Sequence, residues 1–204
     1  MEEKKTLYSA IAVWLAALTA IVTGFSGCTA GQIDKLITAT RQGDIETAGR
    51  IVAGRADVNT LNEKQMSPLI TAAIYGNAEI TSLLLEDGAD PNIRCYAGTA
   101  PLTLAAAFGG TEIVALLLNG GADPGTSDAA GNTPVIAAAL SGGTETAALL
   151  IEAGADVSAM NDDGTTALMV AAKNGYYDTA EILIAAGADM DCESTRETQE
   201  KVGF

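Results

Sequence analysis

Five aspartates recur at one spacing: Asp57, Asp90, Asp123, Asp156 and Asp189, each 33 residues after the last. Paired carboxylates can shuttle protons, and clustered ones can hold a metal. Acid–base work needs two carboxyls in unlike surroundings, so that one keeps its proton while the other is ionised. Copies of one position in a repeat have like surroundings and stand about 8–10 Å apart, the separation of packed helices. Their expected role is hydrogen bonding within a loop. Other chemistries lack their parts. The chain has no histidine, which removes the commonest general base and the commonest metal ligand. Asn161-Asp162-Asp163-Gly164 lacks the alternating ligands of a calcium loop. No glycine-rich loop leads to the lysine that a phosphate cradle needs. Cys28, Cys95 and Cys192 are too few, without histidine, for a closed zinc site. The residues point away from an enzyme and imply no cofactor, no metal and no small-molecule substrate.

Composition narrows the class of partner. Eleven lysines and arginines face 26 acidic residues, a net charge of −15. Phosphate backbones demand a basic footprint, so nucleic acid is an unsuitable partner. Apolar residues make up 48% of the chain, which is enough for a packed core. Aromatics are only 4%, and small aliphatic residues dominate. That mixture suits closely packed helices better than a β-sandwich.

The first residues read as an address. Lys4 and Lys5 precede an apolar run from Leu7 to Phe25, and no charge follows until Asp34. A basic start before an apolar stretch is the layout of a secretory signal. The run of about 20 residues is also long enough to remain as a membrane anchor. Phe25-Ser26-Gly27-Cys28 resembles the lipobox of bacterial lipoproteins, with small residues before the cysteine and Phe25 where leucine is usual. The resemblance implies a signal peptide over 1–27, acylation at Cys28 and a short tether over 28–31. It places the protein at a membrane, facing the periplasm or exterior. An uncleaved transmembrane anchor is the alternative.

The elements that hold these residues come in copies. Gly-Ala-Asp begins at Gly88, Gly121, Gly154 and Gly187, with Arg55-Ala56-Asp57 one period earlier. Gly43, Gly76, Gly109, Gly142 and Gly175 keep the same step, as do Ala39, Ala72, Ala105, Ala138 and Ala171. Internal periods of this size mean stacked units. Each unit reads as two short helices. Pro101 suits a first helical position. Leu102, Ala105 and Ala106 share one face, and Ile113, Leu116 and Leu117 stripe the second helix. Gly121 closes it as a left-handed terminator. Ser67, Thr133 and Thr166 are expected N-caps, whereas Ala100 has nothing to cap with. Helices this short are marginal alone and must bury their stripes against neighbouring copies.

Ser67-Pro68-Leu69-Ile70-Thr71-Ala72-Ala73 and its counterparts from Ala100, Thr133 and Thr166 resemble the ankyrin signature, and the Gly-Ala-Asp series resembles the end of that repeat. The resemblance covers residues 32–191. It implies an all-α solenoid of helix-turn-helix repeats with β-turn fingers. The domains become an N-terminal cap over 32–61, repeats over 62–94, 95–127, 128–160 and 161–191, and a polar tail over 192–204. One departure stands out: Ile70, Thr103, Ile136 and Met169 replace the histidine of the signature. The resemblance further implies a non-catalytic module that binds a protein partner through its concave face, using fingers and first helices. In register, those positions offer Met66, Tyr75, Tyr96, Phe108 and Leu140 as apolar anchors and Asp162 and Asp163 as an acidic fingertip. An inhibitor or immunity-type protein that masks an exported enzyme or toxin is the alternative. Cys95 and Cys192 should lie about 30 Å apart at about 10 Å per repeat, too far for a disulfide.

Overall fold

The computed structural model describes residues 30–190, apart from Tyr96 and Gly109. Five helical pairs follow one another: α1 (Ala30–Gln42) and α2 (Ile45–Ala53); α3 (Pro68–Tyr75) and α4 (Ala78–Glu86); α5 (Pro101–Ala107) and α6 (Thr111–Asn119); α7 (Pro134–Ser141) and α8 (Thr144–Glu152); α9 (Ala167–Asn174) and α10 (Tyr177–Ala185). The inner helices α1, α3, α5, α7 and α9 pack in a row. The outer helices α2, α4, α6, α8 and α10 pack in a second row behind it. The main contacts run within each pair and between successive pairs of the stack. This is the helical solenoid expected from the period of 33.

The local signals act as written. Pro68, Pro101 and Pro134 sit in the first turns of α3, α5 and α7. The Ser67 hydroxyl accepts from the Ile70 amide at 3.1 Å, and the Thr166 hydroxyl accepts from the Met169 amide at 3.3 Å. Thr133 departs from expectation. Its backbone takes the extended cap conformation, but its buried hydroxyl makes no hydrogen bond. Ala100 caps nothing, as its side chain requires. α1 begins at Ala30, inside the segment read as a tether, so the array starts two residues earlier than the sequence suggested.

Packing is repetitive too. Leu84, Leu117, Leu150 and Leu183 stand one period apart on the outer helices, all fully buried. Ala72, Ala105, Ala138 and Ala171 hold the same place on the inner helices, also fully buried, and let them approach closely. The positions that depart from the signature's histidine are absorbed in three ways. Ile70 and Ile136 are buried in the apolar core. Met169 turns its sulfur back to the Thr166 amide at 3.3 Å. Thr103 is buried with its hydroxyl unpartnered.

Two residues carry the strain of irregular copies. Arg55 has φ +59 where later copies have Gly88, Gly121, Gly154 and Gly187 at +86 to +92. Gln65 has φ +57 where Gly98, Gly131 and Gly164 have +70 to +77. A side chain in this left-handed region costs about 1 kcal/mol or more. Both sit at the N-terminal end of the array.

Among the described residues, no helix is long and apolar enough to cross a membrane. The apolar run at 7–25, the lipobox with Cys28, and the tail at 192–204 lie outside the described residues.

Candidate functional site

Between one outer helix and the next inner helix the chain makes a finger. Its base is a backbone bond: Asn62 to Met66, Cys95 to Thr99, Asp128 to Asn132 and Asn161 to Thr165, at 3.0–3.1 Å. Three fingers are braced by the first residue's own side chain. Asn62 Oδ1 accepts from the Lys64 and Met66 amides. Asp128 Oδ1 accepts from Ala130 and Asn132. Asn161 Oδ1 accepts from Asp163 and Thr165. Short polar side chains favour such turns because they reach back to their own backbone. Cys95 lacks the needed oxygen. There the Arg94 guanidinium substitutes, donating to the Gly98 carbonyl at 2.9 Å and to the Ser127 carbonyl of the next finger at 2.7 Å. This series was missed in the sequence, although Asn62, Asp128 and Asn161 keep the 33-residue step.

Fingers also join one another. The Ala129 amide donates to Ala97 at 3.1 Å, and the Asp162 amide donates to Ala130 at 3.0 Å. The approach is tight at the second junction. A Cβ on Gly131 would lie 2.8 Å from the Asp162 amide nitrogen and 3.0 Å from the Asn161 Cα.

The periodic aspartates are structural. Asp57, Asp90, Asp123 and Asp156 each accept, through Oδ1, from the backbone amide two residues on, at 2.8–3.0 Å. In the first copies an asparagine adds a second layer. Asn59 donates to the Gly88 carbonyl and accepts from the Asp90 amide; Asn92 does the same with Gly121 and Asp123. Later copies have Gly125 and Ser158 in that place. Among the described residues no group of three or more carboxylates or cysteines gathers as a metal site.

The anchors predicted from sequence fall on two strips. Met66, Asp162 and Asp163 lie at the fingers; Met66 is half-buried at its finger's base, while both aspartates are exposed. Tyr96 is outside the described residues. Tyr75, Phe108 and Leu140 lie at the other end of their inner helices, about 12 Å away along a helix of eight residues. They are 50%, 64% and 53% exposed, large values for side chains of this kind. The two sets, finger positions and first-helix positions, lie apart because the helix holds its two ends apart. Tyr75 leans toward the preceding copy, with the Arg41 guanidinium 5.7 Å from its ring centre. Phe108 is the C-cap that follows α5. Tyr176 continues the edge in the last copy, its ring lying over Gly142; the sequence gives no sign of it, because earlier copies carry Asn77, Gly110 and Gly143 at that position. Tyr177 beside it is 80% exposed, and the two border a hollow of about 230 Å³ with Gly142 and Asp178.

Electrostatics divide the array. Residues 30–94 carry six cationic and nine acidic side chains, net −3, whereas residues 95–190 carry one and eleven, net −10. Arg50 and Glu46 form the single ion pair among the described residues, at 4.0 Å on the surface. Asp44 caps α2, accepting from the Thr47 amide at 2.9 Å. That bond holds its carboxyl below the ordinary carboxylate value, with the Thr47 hydroxyl and Arg50 helping.

A family model described as "Ankyrin repeats (3 copies)" matches residues 36–128 and 102–194. Among curated proteins, a search finds no match.

Proposed function

The chain belongs to the ankyrin-repeat family, and from that premise we propose an exported, membrane-tethered module that captures one protein partner on the inner-helix side of its array. Ankyrin repeats indicate protein–protein interaction. The observation that carries the finer reading is the row of Tyr75, Phe108 and Leu140, half or more exposed on adjacent copies. Contiguous exposed apolar side chains mark interaction surfaces, and aromatics are favoured anchors. No interior packing needs them, since the core closes beneath them through Ala72, Ala105 and Ala138.

Export rests on the apolar run from Leu7 to Phe25 and on Cys28. Acylation there would tether the array close to a membrane, because multiple acyl chains anchor firmly. Loss of labelled palmitate from Cys28→Ser, with retention in the parent, checks it. Label in neither chain supports the uncleaved anchor instead.

Partner capture is tested by crosslinking in native membranes followed by mass spectrometry. Tyr75→Ala with Phe108→Ala should abolish the crosslinked product and leave the melting temperature nearly unchanged. Unaltered capture would remove the site.

A narrower reading, an inhibitor or immunity-type protein for a basic exported enzyme or toxin, draws on the charge of residues 95–190. Charge-led association weakens steeply with salt. A complex unaffected between low and high ionic strength argues against it.

A further inference from the structure

At the turn edge two rows run side by side. The apolar row is Tyr75 and Phe108, which keep the 33-residue step at the ends of α3 and α5, and Leu140, which stands one residue ahead of that register at the end of α7. The second row is Glu79, Glu112 and Glu145, each in the first turn of the following outer helix and each exposed. A carboxylate in a first turn favours its helix through the dipole, which explains why one residue of this type stands there. It leaves open why the flank of the row carries no compensating cation. No salt bridge engages any of the three, although such pairs are common on helical surfaces. The edge does bear two cations, Arg41 and Lys173, and they occupy its two ends in the first and last copies. Arg41 is turned against the Tyr75 ring. Phe108 and Leu140 therefore stand in copies whose Glu112 and Glu145 make no ion pair, while Arg41 covers part of Tyr75 in the copy of Glu79.

We infer that this edge docks a cationic amphipathic helix, with its apolar face on Tyr75, Phe108 and Leu140 and its lysines or arginines on Glu79, Glu112 and Glu145. The inference rests on the binding reading above and adds the partner's chemistry. Charge complementarity sets the sign of the partner, and geometry sets its conformation. Each copy advances about 10 Å, the spacing of packed helices. Seven residues of α-helix climb about 10.5 Å, so a helix laid along the edge returns the same face to each copy. A strand is a poor fit. Its successive side chains point to opposite sides, so it meets one row and turns the other half of its residues away. A helix offers an apolar stripe and a charged flank together. Three copies span about two heptads.

The test uses the full-length chain with a photo-crosslinking phenylalanine analogue in place of Phe108. Three labelled peptides of about 18 residues serve as probes: a Leu/Lys amphipathic helix, the same helix with glutamate for lysine, and a shuffled Leu/Lys sequence without an apolar face. The first should crosslink, and the other two should do so at least about tenfold less. Glu79→Gln with Glu112→Gln and Glu145→Gln should cut the product about tenfold at low salt. Glu63→Gln with Glu86→Gln and Glu152→Gln makes the same change in net charge away from the edge and should leave it nearly intact. Circular dichroism confirms that both triple variants stay helical. Equal losses in the two triples, or equal crosslinking of the shuffled or acidic peptide, overturns the inference. Natural partner capture that needs Tyr75 and Phe108 but survives the edge triple would sink this inference alone and leave the binding reading standing.

Discussion

The two halves of the array are held together by different means. The first two junctions are locked at the loop behind the outer helices, where Asn59 and Asn92 each make two bonds to the next copy. The last two junctions have Gly125 and Ser158 there and are joined at the fingers, through Ala129 to Ala97 and Asp162 to Ala130. Threonine hydroxyls add cross-links behind them: Thr111 with Thr146 and Thr144 with Thr179, both at 2.9 Å. Strain and charge divide as well. The N-terminal half tolerates Arg55 and Gln65 in left-handed turns and nearly balances its charges, whereas the C-terminal half uses glycine at those turns and carries most of the negative charge. One repeat motif thus accepts two fastening schemes, because the buried alanine and leucine positions fix the stack in both.

Cutting the core between the halves should give the largest effect. Leu117→Ala leaves a cavity at a fully buried site and should cost about 2–5 kcal/mol. In a solenoid such a defect loosens coupling between neighbours. Hydrogen exchange should then show the acidic C-terminal pairs losing protection first; equal loss on both sides breaks the comparison. Next comes the finger contact. Gly131→Ala combines φ +77 with a 2.8 Å approach to the Asp162 amide and should cost about 2–3 kcal/mol. Gly98→Ala, whose Cβ would meet the Ala129 amide at an ordinary 3.6 Å, should cost only the backbone term of about 1 kcal/mol. Equal costs, read by urea denaturation, would mean that finger packing is the same along the array.

Smaller changes sharpen the contrast. Asn92→Ala removes two bonds across a junction and should cost about 1–2 kcal/mol. Gly125→Asn, one period later, should recover part of that amount if the Gly154 carbonyl and Asp156 amide accept the same clamp. Arg55→Gly and Gln65→Gly should each raise stability by up to about 1 kcal/mol, since relief of strain exceeds the added chain entropy only slightly. The smallest effect lies at Asp44. Its folded pKa is lowered, so its contribution is present above the unfolded carboxylate value and is lost as pH falls through the folded one. Asp44→Asn should lower stability slightly at neutral pH, leave it nearly unchanged at acid pH, and so flatten the acid limb of the stability curve.

Most of the fold was legible because period, proline and glycine each report backbone geometry directly. Pro68, Pro101 and Pro134 marked three helix starts, and Gly88, Gly121 and Gly154 marked the ends of outer pairs. Thr133 was misread as a hydrogen-bonded cap, because residue type names a hydroxyl but not where it points. The finger braces at Asn62, Asp128 and Asn161 went unnoticed since asparagine and aspartate alternate and Cys95 interrupts the series. Tyr75, Phe108, Leu140, Asp162 and Asp163 were legible as exposed positions one by one, whereas Met66 is half-buried and Tyr96 lies outside the described residues. Their division into fingers and first helices was legible from the register, and helix length sets the distance between the two sets. Tyr176 escaped because no earlier copy prepares for it.

The constant step of 33 residues also governs how such a chain can grow. A segment of one full period, inserted at any phase, adds a complete hairpin and leaves every neighbour in register, whether the cut falls in a finger or inside a helix. A segment one residue longer or shorter, cut into a helix, turns the buried stripe of that helix out of line with its neighbours. Growth by whole rungs is therefore the route that keeps every buried position in register.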